Sequence, residues 1–186
     1  GQSKLQAEAI HRDWAAATGG RLSIIRPGVV FGPGEAGNVT RLVREMLNRQ
    51  RAIVLNPDQP KAGMYIEELI ELMRWLRAAE GPGEGFHLVN GVSAENLTFN
   101  AFGHALQELR NFERPALQVP GRALRLALWP LGALAPLVPP TFKLHPERLA
   151  KLLRANDVRA TALGEMGYPF AWPLQRALAD WLERGL

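Results

Sequence analysis

The chain has 186 residues, 47% hydrophobic, 22% charged and 8% aromatic, with no cysteine and 22 basic against 18 acidic side chains. That length supports a globular core and excludes disorder and collagen-like repeats, while the absence of cysteine excludes a disulfide framework and any thiolate metal site and fits a reducing cytosol. The formal charge of +4 is spread over scattered arginines, which suit small anionic molecules at least as well as nucleic acid, whose binding favours one clustered stripe.

Residues 3–18 read as a helix with Leu5, Ile10 and Trp14 on an apolar face, ended by Gly19-Gly20. Leu22-Ser23-Ile24-Ile25 is a short β-branched run, hence a buried strand, closing at Arg26-Pro27. After Phe31, Gly32-Pro33-Gly34 forces a turn. Asn38 or Thr40 then caps a helix whose Val39, Leu42, Val43, Met46 and Leu47 follow the 3.6-residue period. Residues 52–55 predict a second strand, 56–63 a loop and 64–66 a short extended segment. Residues 67–79 form an amphipathic helix carrying Leu69, Ile70, Leu72, Met73 and Leu76 inward, 86–89 another strand, and Thr98 caps a helix to about Arg110. The remainder reads as helical with short breaks, Pro146 and Pro173 each opening a helix where a missing N–H costs nothing.

The order α-β-α-β-α-β-α followed by mostly helix predicts an α/β protein. The chain opens directly on a helix, so a parallel sheet made only of these strands has a bare edge and a bare face. On that ground it reads as the second part of something larger.

Ala123 to Pro140 is the most apolar run, about as long as a short membrane-spanning helix of roughly 18 residues. Arg125 near its start and Pro130, Pro136, Pro139 and Pro140 break any continuous helix, so it predicts core or a substrate-cavity wall rather than a membrane span. The polar start, with Lys4 as its early charge and no apolar stretch after it, predicts no signal peptide.

Residues 32–37 formally satisfy G-x-G-x-x-G between a strand and a helix, the pattern of a dinucleotide phosphate loop. Pro33 removes an N–H that should point at phosphate, and a polar Asn-Val-Thr cap follows Gly37, so a plain tight turn is the expectation. His11, His87, His104 and His145 have no i,i+4 pairing with each other or with a carboxylate triad, and no metal site is expected. Glu67, Glu68 and Glu71 cluster at one helix start, where carboxylates complement the helix dipole, so stabilisation rather than acid–base chemistry is expected of them. No Ser-His-Asp order, G-x-S-x-G or P-loop is present.

Gly1-Gln2-Ser3-Lys4-Leu5-Gln6-Ala7-Glu8 resembles the segment that follows the catalytic tyrosine of the extended short-chain dehydrogenase/reductases, Y-x-x-S-K-x-x-A-E. Counting back from Lys4 places that tyrosine one position before Gly1. Residues 25–34 (IRPGVVFGPG) resemble the family's R-P-x-x-V-Y-G-P-G strand and turn, and residues 61–69 (KAGMYIEEL) its R-D-F-x-H-V-D-D-L. Residues 86–91 fit the later strand, and Leu163-Gly164 through Gly167-Tyr168-Pro169 to Trp181 fit the terminal L-G-Y-x-P…W. Each match is short, but they run in family order across nearly the whole chain.

The resemblance implies the last part of a Rossmann-type parallel sheet plus a smaller, mostly helical substrate domain. Residues 1–60 would be the remnant of the dinucleotide-binding domain with the start of the substrate domain. Residues 61–186 would be the substrate-binding part with one returning Rossmann element. The implied function is that of the C-terminal portion of an NAD(P)-dependent nucleotide-sugar epimerase or dehydratase, cytoplasmic and inactive alone, with hydride transfer at a sugar carbon. By the same resemblance Lys4 contacts the nicotinamide ribose and lowers the tyrosine pKa, since a nearby cation favours phenolate. Pro27, Gly28, Val29 and Val30 line the nicotinamide, and Asn38, Arg41 and Lys61 contact substrate. Lys61 stands where sugar-nucleotide enzymes place an arginine on the diphosphate, keeping the charge and losing the bidentate geometry.

Two departures open alternatives. Val29 replaces an asparagine that many such epimerases direct at the diphosphate, and residues 119–157, apolar and Pro-rich, resemble members acting on steroids or other hydrophobic alcohols. A 3β-hydroxysteroid-dehydrogenase-like or dihydroflavonol-reductase-like oxidoreductase, and a non-catalytic binding module, therefore stand beside the epimerase reading. A small-molecule partner is expected, with neither nucleic acid nor a membrane span. NAD and NADP are not distinguished, and a homodimer is among the assemblies the resemblance allows.

Overall fold

A computed structural model of the chain describes residues 1–48, 52–55, 57–78, 82, 85–110, 116–119 and 158–186. The elements, in order, are α1 (Gln2–Thr18), β1 (Leu22–Pro27), β2 (Val29–Phe31), α2 (Asn38–Leu47), β3 (Ala52–Leu55), β4 (Gly63–Tyr65), α3 (Ile66–Arg77), β5 (Phe86–Gly91), α4 (Phe99–Arg110), β6 (Ala116–Val119), α5 (Thr161–Glu165) and α6 (Leu174–Glu183). The α/β class is as the sequence predicts, and α6 starts where Pro173 foreshadowed it, with that proline as the N-cap residue. Two strands were not foreseen. Val29–Phe31 pairs as a strand of its own before the Gly32 turn, and residues 116–119, expected within a helical remainder, are extended. The segment at 120–157, with the Pro146 helix start and the apolar 123–140 run, lies outside the described residues.

The strands pair in parallel, two by two: β1 with β5, β2 with β4 and β3 with β6. Parallel pairing requires crossovers: α2 lies in the chain between the paired β2 and β4, and both α2 and α3 lie between the paired β1 and β5. β1 runs from Leu22 opposite Phe86 to Pro27 opposite Gly91. At Gly28 the chain changes partner. Its N–H still donates to the Gly91 carbonyl at 3.0 Å, while the next N–H, of Val29, donates to the Ala62 carbonyl at 2.9 Å. A Cβ on Gly28 would stand 2.6 Å from the Ala62 oxygen, so only glycine lets the two backbones meet.

Two apolar clusters hold these elements. Phe31, Val43, Tyr65, Leu106, Leu178 and Trp181 bring β2, α2, β4, α4 and α6 together, with the Phe31 ring 5.5 Å from Phe102 and 5.9 Å from Trp181. Met64, Leu72, Leu76, Val89, Leu163 and Tyr168 join β4, α3, β5 and α5. Aromatic pairs at these separations add to area burial.

α1 behaves differently. None of its residues is buried, and Leu5, Ile10 and Trp14 are 60%, 67% and 53% exposed. The apolar face read from the sequence is thus exposed rather than packed among the described residues. Among the described residues, no helix is long and apolar enough to cross a membrane.

Candidate functional site

Lys61 begins the segment that leads into β4. Its N–H donates to the Leu97 carbonyl at 2.8 Å, and the Ser93 N–H donates to the Gly63 carbonyl at 2.8 Å. These bonds lay the 92–97 loop across the 61–63 backbone. Between that loop and the residues just before α5 lies a cavity of about 120 Å³, lined by Lys61, Ser93, Glu95, Asn96 and Arg159 among others. Arg159 is set in place by its own carbonyl, which accepts from Asn90 Nδ2 at 3.3 Å. Desolvation at this wall lowers the Lys61 pKa below the ordinary lysine value. Glu95 is turned partly away, its Oε2 accepting from the Leu174 N–H at the start of α6 at 3.3 Å. Two cations, a hydroxyl and a side-chain amide at one small cavity make an arrangement suited to a phosphate-sized anion.

Of Pro27, Gly28, Val29 and Val30, none lines this cavity, but Gly28 and Val29 touch the Ala62 backbone that does. They lie at the carboxyl end of a parallel strand, where α/β sheets open their ligand crevices. Val29 is half exposed and Pro27 exposed, an apolar ledge of the kind a flat ring rests on. Among the sequence-derived residues, Gly28 and Val29 thus meet the backbone that follows Lys61. Lys4 is exposed on α1 and is tied to this ledge indirectly: one turn further along the helix, Glu8 is bonded to Arg26, the residue before Pro27.

Asn38 and Arg41 lie elsewhere, exposed at the head of α2, and neither lines the cavity. That helix start settles the Gly32–Gly37 question. Glu35 folds back over it, accepting from the Thr40 hydroxyl and from the Thr40 N–H at 2.9 Å. Desolvation opposes the Glu35 charge, but Thr40, the Gly37 N–H and Arg41 outweigh it and hold its pKa below the usual carboxylate value. The helix N-terminus carries its own anion, so it has no place for a pyrophosphate. Residues 32–37 therefore offer a dinucleotide no phosphate cradle.

The carboxylates of α3 do more than complement a dipole. Glu68, 2% exposed, accepts from the Tyr168 hydroxyl, from the Ala171 N–H at 3.2 Å and from the Trp172 N–H at 2.7 Å. Glu71 accepts from Trp172 Nε1 at 3.0 Å, and Glu67 pairs with Arg184 at 2.6 Å. Burial, then the Glu68 carboxylate, pushes the Tyr168 phenol pKa far up, as burial and Asp180 do for Tyr65. Both phenols stay protonated donors, so neither is a base. Sequence reasoning missed Glu68 as a tertiary clasp and Arg159 as a cavity residue, because their partners are remote in the chain. Among the described residues, no group of three or more metal-ligating side chains is present.

No family profile matches the chain. It is 24% identical over 180 residues to the N-acetyl-α-D-glucosaminyl-diphospho-ditrans,octacis-undecaprenol 4-epimerase of Escherichia coli O157:H7, a match covering 96% of this chain and 54% of that protein. Among solved structures, UDP-glucose 4-epimerase of Thermotoga maritima with UDP-glucose superposes with a TM-score of 0.62 at 17% identity, over 99% of this chain and 52% of that one. UDP-glucuronic acid 4-epimerase of Bacillus cereus, in complex with UDP-glucuronic acid and NAD, gives 0.61 at 14%, over 97% and 50%. A human epimerase family protein with NADPH gives 0.57 at 20%, over 89% and 49%. The chain spans about half the length of the relatives it matches. The Rossmann-type α/β fold they share is the one implied by the motif resemblance to the extended short-chain dehydrogenase/reductases.

Proposed function

We propose that this chain acts as part of an NAD(P)-dependent epimerase or dehydratase of nucleotide sugars, an isomerase-type activity in the cytoplasm. Residues 1–60 complete the dinucleotide-binding part, and residues 61–186 form most of the substrate part. One observation carries the reading: the Gly28 backbone meets the 61–63 segment, setting the 27–30 ledge beside a cavity lined by Lys61 and Arg159. A nicotinamide cofactor, when bound, supplies the hydride exchange at a sugar carbon. Pro27 to Val30 orient its ring and keep water from that face. Lys61 and Arg159 bind the substrate diphosphate, Arg159 with the planar fork that Lys61 lacks. Asn38 and Arg41, apart from that cavity, are assigned to the distal part of the substrate. Lys4 holds its ammonium near the phenol that the motif places before Gly1, favouring phenolate, so that this oxygen takes the proton of the sugar hydroxyl near neutral pH. The 186 residues alone are inactive, since the α2 N-terminus is already filled by Glu35.

A second reading concerns what the diphosphate is attached to. The apolar 123–140 stretch and the 24% match to an undecaprenol-linked epimerase both favour a lipid-linked sugar diphosphate over a soluble one. It answers to the same cations as the nucleotide sugar.

The test incubates the complete protein with NAD and, separately, UDP-N-acetylglucosamine and a short polyprenyl-diphospho-N-acetylglucosamine, reading inversion at C4 by NMR. Turnover of either supports the proposal and identifies the carrier. Lys61→Ala should raise KM for that substrate about ten-fold or more with a smaller change in kcat, as for a group binding ground and transition states alike. Turnover of a hydrophobic alcohol only, indifferent to Lys61→Ala, overturns it.

A further inference from the structure

α1 carries Lys4, yet no burial fixes its roll or register against β1 among the described residues. What fixes it is polar. Glu8 takes both prongs of one guanidinium, accepting from Arg26 Nε at 2.9 Å and from an Arg26 terminal nitrogen at 2.6 Å. Its side chain is 17% exposed, with Arg12 of the same helix 3.8 Å away. Arg12 in turn lies over the Phe86 ring of β5 at 4.8 Å. A bidentate carboxylate–guanidinium pair constrains both distance and angle, which a single contact does not. Its guanidinium belongs to the residue immediately before Pro27, and its carboxylate sits one helical turn from Lys4 on the same face.

We propose that Glu8 and Arg26 are positioning residues that fix the Lys4 ammonium relative to the Pro27 end of β1. The inference rests on the assignment of Lys4 to proton transfer. Coulomb interactions fall with separation and rise as water is excluded, so a helix free to roll by an ångström or two loses part of the effect Lys4 exerts on a phenol. The charged groups facing Glu8 are Arg26 of β1 and Arg12 of its own helix, and β5 beside them carries His87 as its titratable side chain. The pair itself stays ionised across the working range, because each partner stabilises the other's charge.

The experiment is the pH profile of kcat/KM in the complete enzyme for Glu8→Gln, Arg26→Lys, the swapped double variant Glu8→Arg/Arg26→Glu, and Lys4→Met. Glu8→Gln should move the acidic limb to higher pH by about half a unit to one unit and lower kcat several-fold at neutral pH, with KM for substrate unchanged. Arg26→Lys, which keeps the charge and loses the fork, should shift the limb in the same direction by less, and the swap should restore it towards the wild-type position. An activity loss with the limb unmoved, or wild-type behaviour of Glu8→Gln, overturns the proposal. If Lys4→Met retains wild-type kcat and pH profile, it is the proton-transfer reading that fails. If Lys4→Met is inactive and Glu8→Gln leaves the limb in place, only the positioning role fails.

Discussion

α1 and α3 are both helices flanking parallel strands, and they are held in opposite ways. α3 buries Leu72 and Leu76 in an apolar cluster and sends Glu68 into a closed set of donors from residues 168–172. α1 buries nothing and is joined to β1 by a surface ion pair. Stability therefore resides around α3, whereas the geometry assigned to Lys4 depends on a helix that the described residues barely anchor. Leu5, Ile10 and Trp14 of that helix stay exposed.

The contrast can be broken most directly at Glu68. Glu68→Ala leaves two backbone N–H groups without their acceptor and the Tyr168 hydroxyl with only the Glu68 carbonyl at 3.2 Å, at about 1–3 kcal/mol for each donor that stays dry. A loss of about 3–5 kcal/mol in urea unfolding, with unchanged m, is expected, and Glu68→Gln should recover part of it. Leu72→Ala should cost about 2–4 kcal/mol as a cavity in a closed cluster. Ile10→Ala, of similar chemistry on the bare helix, should stay within about 0.5 kcal/mol in this 186-residue chain. If Ile10→Ala matches Leu72→Ala, α1 is packed and the comparison falls.

The smallest expected effect is on pH dependence. Glu35 has a folded pKa below its unfolded value, so its contribution to stability is fully present above the unfolded value and is lost as pH falls through the depressed one. Unfolding curves from pH 6 down to pH 3 should fall less steeply for Glu35→Gln than for the parent chain. Parallel curves would show that Thr40 gains nothing from the charge.

Much of the fold was legible because it follows local rules. The period of Val39 to Leu47, the Thr98 cap and the Pro173 start all reappear, with the Thr98 hydroxyl accepting from the Ala101 N–H at 3.0 Å. The 116–119 strand was not legible, since four residues flanked by a Pro-rich stretch have no decisive period and gain their conformation from β3. Lys61, which lines the cavity, was singled out through its motif alone. Glu68 looked like a first-turn carboxylate, because nothing near it in sequence announces that its partners stand about 100 residues away. Arg159 carried no local signal at all.

The change of partner at Gly28 means that the ring ledge and the anion cavity share one piece of backbone. Kinetic variants usually sort into those that alter turnover and those that alter affinity, and Lys4 and Lys61 should sort that way. Gly28 should resist sorting. A methyl group there pushes against the Ala62 carbonyl, displacing the ledge from the cavity wall, so kcat and KM for both ligands deteriorate together although the methyl touches neither. Under the proposed assignment the two binding events are mechanically one, and the stiffness of a single glycine contact would set how well a bound ring and a bound diphosphate are kept in register.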